Sequence, residues 1–276
     1  MAFRITTLME NTAPKDCLAS EHGLSLLIEG NGRRILYDTG SSPMFLKNAK
    51  ALGVELTGLD ALVLSHGHYD HTGGVTALLL GSNRPGTIYL GPNFFGARYS
   101  KKKDGLLEIG PAVEQEDLDA SGIPCVEVGS EPMRLGDGIW VLSGFVPRDE
   151  MERPSPAMLR PGKEGLEIDP FGDEVVMVLE GEEGLTLISG CAHVGILSMC
   201  ARVGELFGRP VTTFLGGTHL MAANDDRIRH TCDCLKRRGM IRLGACHCSG
   251  EKASVYFEAN FPGFFRNNVG SAVELV

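Results

Sequence analysis

The chain has 276 residues, 43% of them hydrophobic, enough for one sizeable core, and its formal net charge is −9. That acidic balance excludes a phosphate-neutralising basic surface; the one short basic run, Lys101-Lys102-Lys103, reads as a solvated turn, so no nucleic-acid partner is expected. No segment approaches the roughly 20 apolar residues that span a bilayer, and Met1 to Thr12 lacks the basic flank and apolar stretch of a secretion signal, so the expectation is a cytoplasmic protein with no membrane partner.

Short β-type runs alternate with amphipathic helical stretches along the chain. Leu24 to Ile28, Arg34 to Tyr37, Ala61 to Leu64, Thr87 to Leu90, Val175 to Leu179, Leu185 to Ser189 and Val211 to Leu215 read as strands, apolar, β-branched and bounded by Gly or polar turns. A helix over 43 to 52 follows from Ser42 as N-cap, Pro43 in the first turn, the stripe Phe45, Ala49 and Leu52, and Gly53 as a left-handed stop. Residues 147 to 172 hold five prolines with charges of both signs and read as an irregular covering loop, a lid. Ile196, Cys200, Val203 and Phe207 share one helical face, which places His193 at a helix entrance and ends the helix near Gly208. Asn224 to Arg238 carries Asp225 and Asp226 in its first turn and Lys236 to Arg238 in its last, as the helix dipole favours. It leads into a last strand, Met240 to Gly244, and then His247. One domain over 1–276 is the expectation.

The most informative feature is His66-Gly67-His68-Tyr69-Asp70-His71, three imidazoles and a carboxylate in six residues directly after an apolar run. Neutral imidazole and carboxylate are the ligands that borderline divalent metals accept, and their spacing in one loop lets several converge at little ordering cost. His193, His219 and His247 each follow a strand too, and strand ends hold ligands rigidly. The eight cysteines lie at irregular spacing in a chain that needs no staples, which fits a reducing compartment. Cys232-Asp233-Cys234 and Cys246-His247-Cys248 leave open a second metal or an iron–sulfur cluster, although such sites usually separate paired cysteines by two or more residues.

The hexapeptide resembles the H-x-H-x-D-H signature of the metallo-β-lactamase superfamily, whose fold is a four-layer αββα sandwich of α/β class. Tyr37-Asp38-Thr39-Gly40 is similar to its early D-T-G turn. Ser189-Gly190-Cys191-Ala192-His193, Gly216-Gly217-Thr218-His219-Leu220 and Cys246-His247-Cys248-Ser249-Gly250 resemble the later motifs of one branch, which contains metal-dependent hydrolases and a dihydropterin-forming ribofuranosylaminobenzene 5′-phosphate synthase. The resemblance implies two divalent metal ions, zinc by default with iron or manganese as alternatives, one held by His66, His68 and His193, the other by Asp70, His71 and His247. Where the superfamily commonly has a bridging carboxylate, this chain reads Gly190-Cys191, so Cys191 either bridges as a thiolate or sits behind His193. Asp38 either accepts a hydrogen bond from a ligating histidine or caps its own turn.

The expected chemistry is hydrolysis of a small ester, lactone or phosphate ester by a metal-bound hydroxide, with Asp70 orienting the attack. Arg148 and Arg98 are candidate receivers for an anionic small-molecule substrate. Two alternatives come from other classes. One is a condensing synthase of the pterin kind, which demands an arginine-lined phosphate pocket. The other is an iron-binding redox-responsive protein whose Cys232, Cys234, Cys246 and Cys248 thiols report on oxidation.

Overall fold

The computed structural model describes residues 2–275. A seven-stranded sheet runs in the order Ala272–Leu275, Phe3–Met9, Ser25–Gly30, Arg33–Tyr37, Ala61–Val63, Thr87–Leu90, Cys125–Glu127. A six-stranded sheet runs Arg242–Cys246, Val211–Gly217, Leu185–Ser189, Val176–Glu180, Ile139–Leu142, Met133–Gly136. Both are mixed: the strands from Arg33 to Glu127 pair in parallel in the first, and Leu185–Ser189, Val211–Gly217 and Arg242–Cys246 pair in parallel in the second.

Strand alternation explains the layering. Ile35 and Tyr37, Ala61 and Val63, and Leu26 and Ile28 face the second sheet, where Met177, Leu179, Ile188 and Leu215 meet them. The intervening Leu27, Leu36 and Leu62 point the other way, onto helices Met44–Leu52, Val75–Leu80 and Gln115–Ser121. Leu185, Leu187, Val178 and Phe214 do the same on the outer face of the second sheet, under helices Ile196–Phe207, Asp225–Arg237 and Gly250–Asn260. Residues of either parity are therefore apolar, which is why these strands read as continuous hydrophobic runs. Each fully buried Leu, Val or Ile side chain contributes about 1.5–3 kcal/mol. The result is the αββα arrangement expected from the motifs.

The helix boundaries follow their chemistry. Gly53 and Gly208 end their helices at φ 68° and 61°, a left-handed conformation that costs glycine nothing. Asn224 caps Asp225–Arg237 by accepting from Arg227 N at 2.9 Å. Ser42 lies one residue before the N-cap position, and its hydroxyl accepts from Met44 N at 3.2 Å.

Two expectations are corrected. Lys101-Lys102-Lys103 is not simply a turn: Lys101 and Lys102 close the strand Tyr99–Lys102, which pairs with Gly105–Glu108, and their side chains are solvated as strand-edge charges. The 147–172 segment is not irregular throughout, because Met158–Gly162 and Gly165–Ile168 form a hairpin that joins the same small four-stranded sheet. Nor is it a loose lid. Glu152 is buried and receives Leu197 N, Ser198 N and Ser198 Oγ at 2.7–2.8 Å, satisfying orphan donors at the start of helix Ile196–Phe207. Proline-rich composition hides the alternation by which a hairpin is recognised.

Candidate metal centre

The ends of five strands from both sheets converge on one edge of the sandwich. Arg33–Tyr37 delivers Asp38, Ala61–Val63 delivers His66 to His71, Leu185–Ser189 delivers Cys191 and His193, Val211–Gly217 delivers His219, and Arg242–Cys246 delivers His247. Among the described residues, seven non-glycine residues have positive φ; Asp38, Ala192, His219 and His247 are four of them, and Phe171, packed on His193, is a fifth. Strained backbone collects where the surrounding fold over-determines side-chain direction.

His66, His68 and His193 form the first group. His66 Nε2 lies 3.0 Å from His68 Nδ1 and 3.3 Å from His193 Nε2, and ligand atoms of the three lie within 4.8 Å of one another. All three rings are buried. Burial holds each of them neutral: it pushes His68 down to about 3, and His66 and His193 well below the usual imidazole range, with neighbouring histidines adding to the effect. His193 is clamped by Phe171, stacked at 3.7 Å and 2°, and its backbone N–H donates to Glu174 Oε1 at 2.8 Å.

Asp70, His71, His247 and Cys191 form the second group. Asp70 Oδ2 lies 3.3 Å from His247 Nε2 and 3.8 Å from His71 Nε2, while Cys191 Sγ lies 3.3 Å from His71 Nε2. The sulfur sits within 4.8 Å of ring nitrogens of both His66 and His71, and also groups with His247 and Cys248. It therefore stands between the two groups. Burial first, and then Cys248, push its thiol well above the ordinary value. Burial by itself would lower His71 and raise Asp70. Asp38 and Asp70 overcome the first and hold His71 up at about 9, while His71 and then His22 overcome the second and keep Asp70 well below the carboxylate range.

Hydrogen bonds hold one ring nitrogen of His71 and one of His66. Asp38 Oδ2 accepts from Ser65 Oγ and faces His71 Nδ1, both at 2.7 Å, and its Oδ1 accepts from Ser65 N at 2.7 Å. One proton of His71 is thereby held on Nδ1, and the second, which the raised value keeps on Nε2, is the one an ion would displace. Ser65 Oγ, its own hydrogen spent on Asp38, accepts from His66 Nδ1 at 2.9 Å, so His66 Nε2 is bare. Of the two roles open to Asp38, the structure shows it orienting histidines. Gly190 makes this approach feasible, since a Cβ there would lie 2.1 Å from Ser65 Oγ and 3.2 Å from Asp38 Oδ2. His68 Nε2, His193 Nδ1 and His247 Nε2 are buried without a hydrogen-bond partner among the described residues. Converging ring nitrogens, a carboxylate, a thiol and an orphaned His247 Nε2 are a donor set suited to borderline divalent cations.

The remaining predicted residues are placed differently. His219 stacks its ring beside His193, 4.2 Å between centroids and tilted 47°, without joining either group. Arg98 is buried, with Nε on Asp169 at 3.1 Å, one terminal nitrogen on Asp173 at 2.8 Å and the other on Phe94 O at 2.8 Å. Asp173 in turn accepts from Gly67 N at 2.8 Å, so Arg98 braces the ligand loop rather than receiving a substrate. Arg148 pairs with Glu205 on the surface at 2.5 Å. The four thiols of the Cys-x-Cys pairs do not meet: Cys234 lies with Asp149 and His230, Cys248 with Cys191 and His247, Cys232 faces Asn260 O and Cys246 faces Asn267. His22, Asn11 and Phe171 are the contributors that sequence reading missed. His22, a lone histidine in a loop, puts Nε2 3.1 Å from Asp70 Oδ2.

Comparison with known proteins agrees with this geometry. Residues 21–139 match the family model of the metallo-beta-lactamase superfamily. The chain is 31% identical, over 99% of its length and 96% of the relative's, to the 7,8-dihydropterin-6-methyl-4-(beta-D-ribofuranosyl)-aminobenzene-5′-phosphate synthase of Methanocaldococcus jannaschii, and 30% identical, over 90% of its length and 91% of the relative's, to an uncharacterised protein of that organism. A crystal structure described as a metal-dependent hydrolase of the β-lactamase superfamily superposes with a TM-score of 0.84 at 28% identity, covering 98% of both chains. Signature, sandwich and full-length likeness agree, and the chain belongs to the metallo-β-lactamase superfamily.

Proposed function

We propose that the chain is a metal-dependent hydrolase of a small ester, lactone or phosphate ester, working with two divalent ions, zinc by default. The observation that carries this reading is the meeting of ring nitrogens from His66, His68 and His193 beside a second set from Asp70, His71 and His247, with Cys191 between. In this reading His66, His68 and His193 would hold one ion and Asp70, His71 and His247 the other, with the Cys191 thiol close to both sets. Ions held there lower the pKa of the water they bind and polarise the substrate's carbonyl or phosphoryl oxygen.

The chain's own residues supply orientation. Asp38 keeps His71 and, through Ser65, His66 in the tautomers that face inward. Asp70, at the start of the short helix Tyr69–Thr72 and close to His22 and His247, is ionised and so placed to align an attacking water, to take its proton and to pass that proton to the leaving group. Phe171, stacked on His193, walls that side against bulk water.

A second reading has support in the 31% identical relative, whose name is that of a synthase. It requires a receiver for a riboside phosphate, and Arg98 and Arg148 are already paired with Asp169, Asp173 and Glu205. No helix among the described residues is long and apolar enough to cross a membrane.

The test joins metal analysis of the purified chain to turnover on lactones, thioesters, phosphomonoesters and phosphodiesters, with dihydropterin condensation as a parallel assay. Two metals per chain and turnover on one hydrolysable class, lost in Asp70→Ala, are expected. Condensation without hydrolysis would replace this reading with the synthase. An Asp70→Ala variant with unchanged metal content and turnover would remove that residue's role.

A further inference from the structure

Asn11 lies between two imidazoles that flank the same carboxylate, and nothing in the superfamily signature points to it. Its amide is oriented by backbone groups, whose polarity is not in doubt. Oδ1 accepts from Gly23 N at 3.3 Å, and Nδ2 donates to His247 O at 3.5 Å. With the amide set this way, the other two contacts have only one sense. His247 Nδ1, 2.9 Å from Oδ1, must carry the proton, and His22 Nδ1, 3.3 Å from Nδ2, must accept one. All four hydrogen-bonding positions of the amide are used.

The consequence reaches Asp70 from both sides. His247, protonated on Nδ1, turns a bare Nε2 toward Asp70 Oδ2 at 3.3 Å, and that nitrogen has no hydrogen-bond partner. Two lone pairs facing each other at that distance repel unless a cation lies between them. His22, bare on Nδ1, carries its proton on Nε2 and donates it to the same oxygen at 3.1 Å. Two rings 4.8 Å apart are therefore held in opposite tautomers by one side chain.

We propose that Asn11 is a positioning residue that sorts the two histidines on Asp70, making His247 a metal ligand and His22 a hydrogen-bond donor rather than a further ligand. His22, Asp70 and His247 lie close enough to hold an ion by themselves, so without the sorting His22 would compete for the second metal or enlarge its coordination. The inference rests on the metal-centre reading for its purpose, but the tautomer pair belongs to the protein with or without metal.

The test separates the two. Full-length protein labelled with 15N in its histidines is examined by long-range 1H–15N correlation, metal-free and with two equivalents of zinc. His22 is expected as the Nε2–H tautomer in both states, and His247 as the Nδ1–H tautomer whose Nε2 resonance shifts on zinc binding. In Asn11→Asp, a carboxylate accepts from both rings, so His22 is expected to move its proton to Nδ1 and its Nε2 to shift with zinc. In Asn11→Ala, affinity for the second zinc is expected to fall roughly 10–100-fold. A wild-type His22 with its proton on Nδ1, a zinc-dependent shift at wild-type His22 Nε2, or an Asn11→Asp protein with unchanged His22 would each overturn the proposal. Failure of zinc to bind at all, with the opposite tautomers intact, would overturn the metal reading and leave the sorting in place.

Discussion

The two halves of the cluster share histidines and behave as opposites. Around His66, His68 and His193 there is burial, an aromatic plate and no carboxylate paired with a ring nitrogen, so the rings are held neutral. Around Asp70, His71, His247 and Cys191 there are two carboxylates, a thiol and the exposed His22, so protons occupy places that an ion would take. His71 at about 9 and Cys191 well above its ordinary value must both give up protons to become ligands. One half is ready for metal. The other must first be discharged, which makes it the pH-sensitive half.

The largest effect expected from breaking this contrast is at the first group. His66→Ala removes the one nitrogen that both other rings face, and metal content is expected to fall by at least one equivalent and turnover by at least about 10²-fold, as measured by elemental analysis and initial rates. Cys191→Ser comes next. It keeps a small polar group but loses the soft donor, so the second equivalent should bind roughly 10-fold or more weakly in calorimetric titration while the first stays as it was. Gly190→Ala presses a methyl into Ser65 and Asp38; a loss of about 1–3 kcal/mol in chemical denaturation of the metal-free protein is expected.

The pH profile sharpens the same contrast. His71 is raised from 6.5 to about 9, so its contribution to folding is complete below 6.5 and is lost as pH rises through 9. Glu174, raised by burial from 4.5 to about 8, works in the same sense, its contribution complete below 4.5 and lost as pH rises through 8. His68, depressed to about 3, works oppositely: its contribution is present above 6.5 and lost as pH falls toward 3. Metal-free protein should therefore lose stability on both sides of about pH 6.5, and zinc should flatten most of the alkaline limb by taking the place of the His71 proton. A titration of melting temperature against pH, with and without zinc, checks it. The smallest effect belongs to Arg148→Ala, an exposed pair with Glu205, where less than about 0.5 kcal/mol and unchanged KM for an anionic substrate are expected.

The sheets were legible because both of their faces are covered, which turns strands such as Arg33–Tyr37 and Leu185–Ser189 into unbroken apolar runs. The short strands Tyr99–Lys102, Gly105–Glu108 and Gly165–Ile168 were not, since they lie largely exposed and carry lysines, glycines and glutamates that a strand tolerates only beside a partner. At the centre, local spacing revealed His66, His68, Asp70 and His71, and strand ends revealed His193 and His247. Asn11 and His22 were silent because each is an ordinary loop residue until the chain brings it beside Asp70 and His247. Arg98 misled for the same reason: a guanidinium advertises anion binding, and only the fold discloses that Asp169 and Asp173 have already claimed it.

The central claim, two unlike metal positions on one strand-end cluster, is tested most directly by anomalous diffraction at the zinc edge from crystals of the zinc-loaded chain. Two peaks are expected, one within about 2.0–2.2 Å of His66, His68 and His193 nitrogens, the other at that distance from Asp70, His71 and His247, with Cys191 Sγ about 2.3 Å from both and the second peak weakening at lower pH. A single peak, or a second one ligated away from Asp70, would contradict the account.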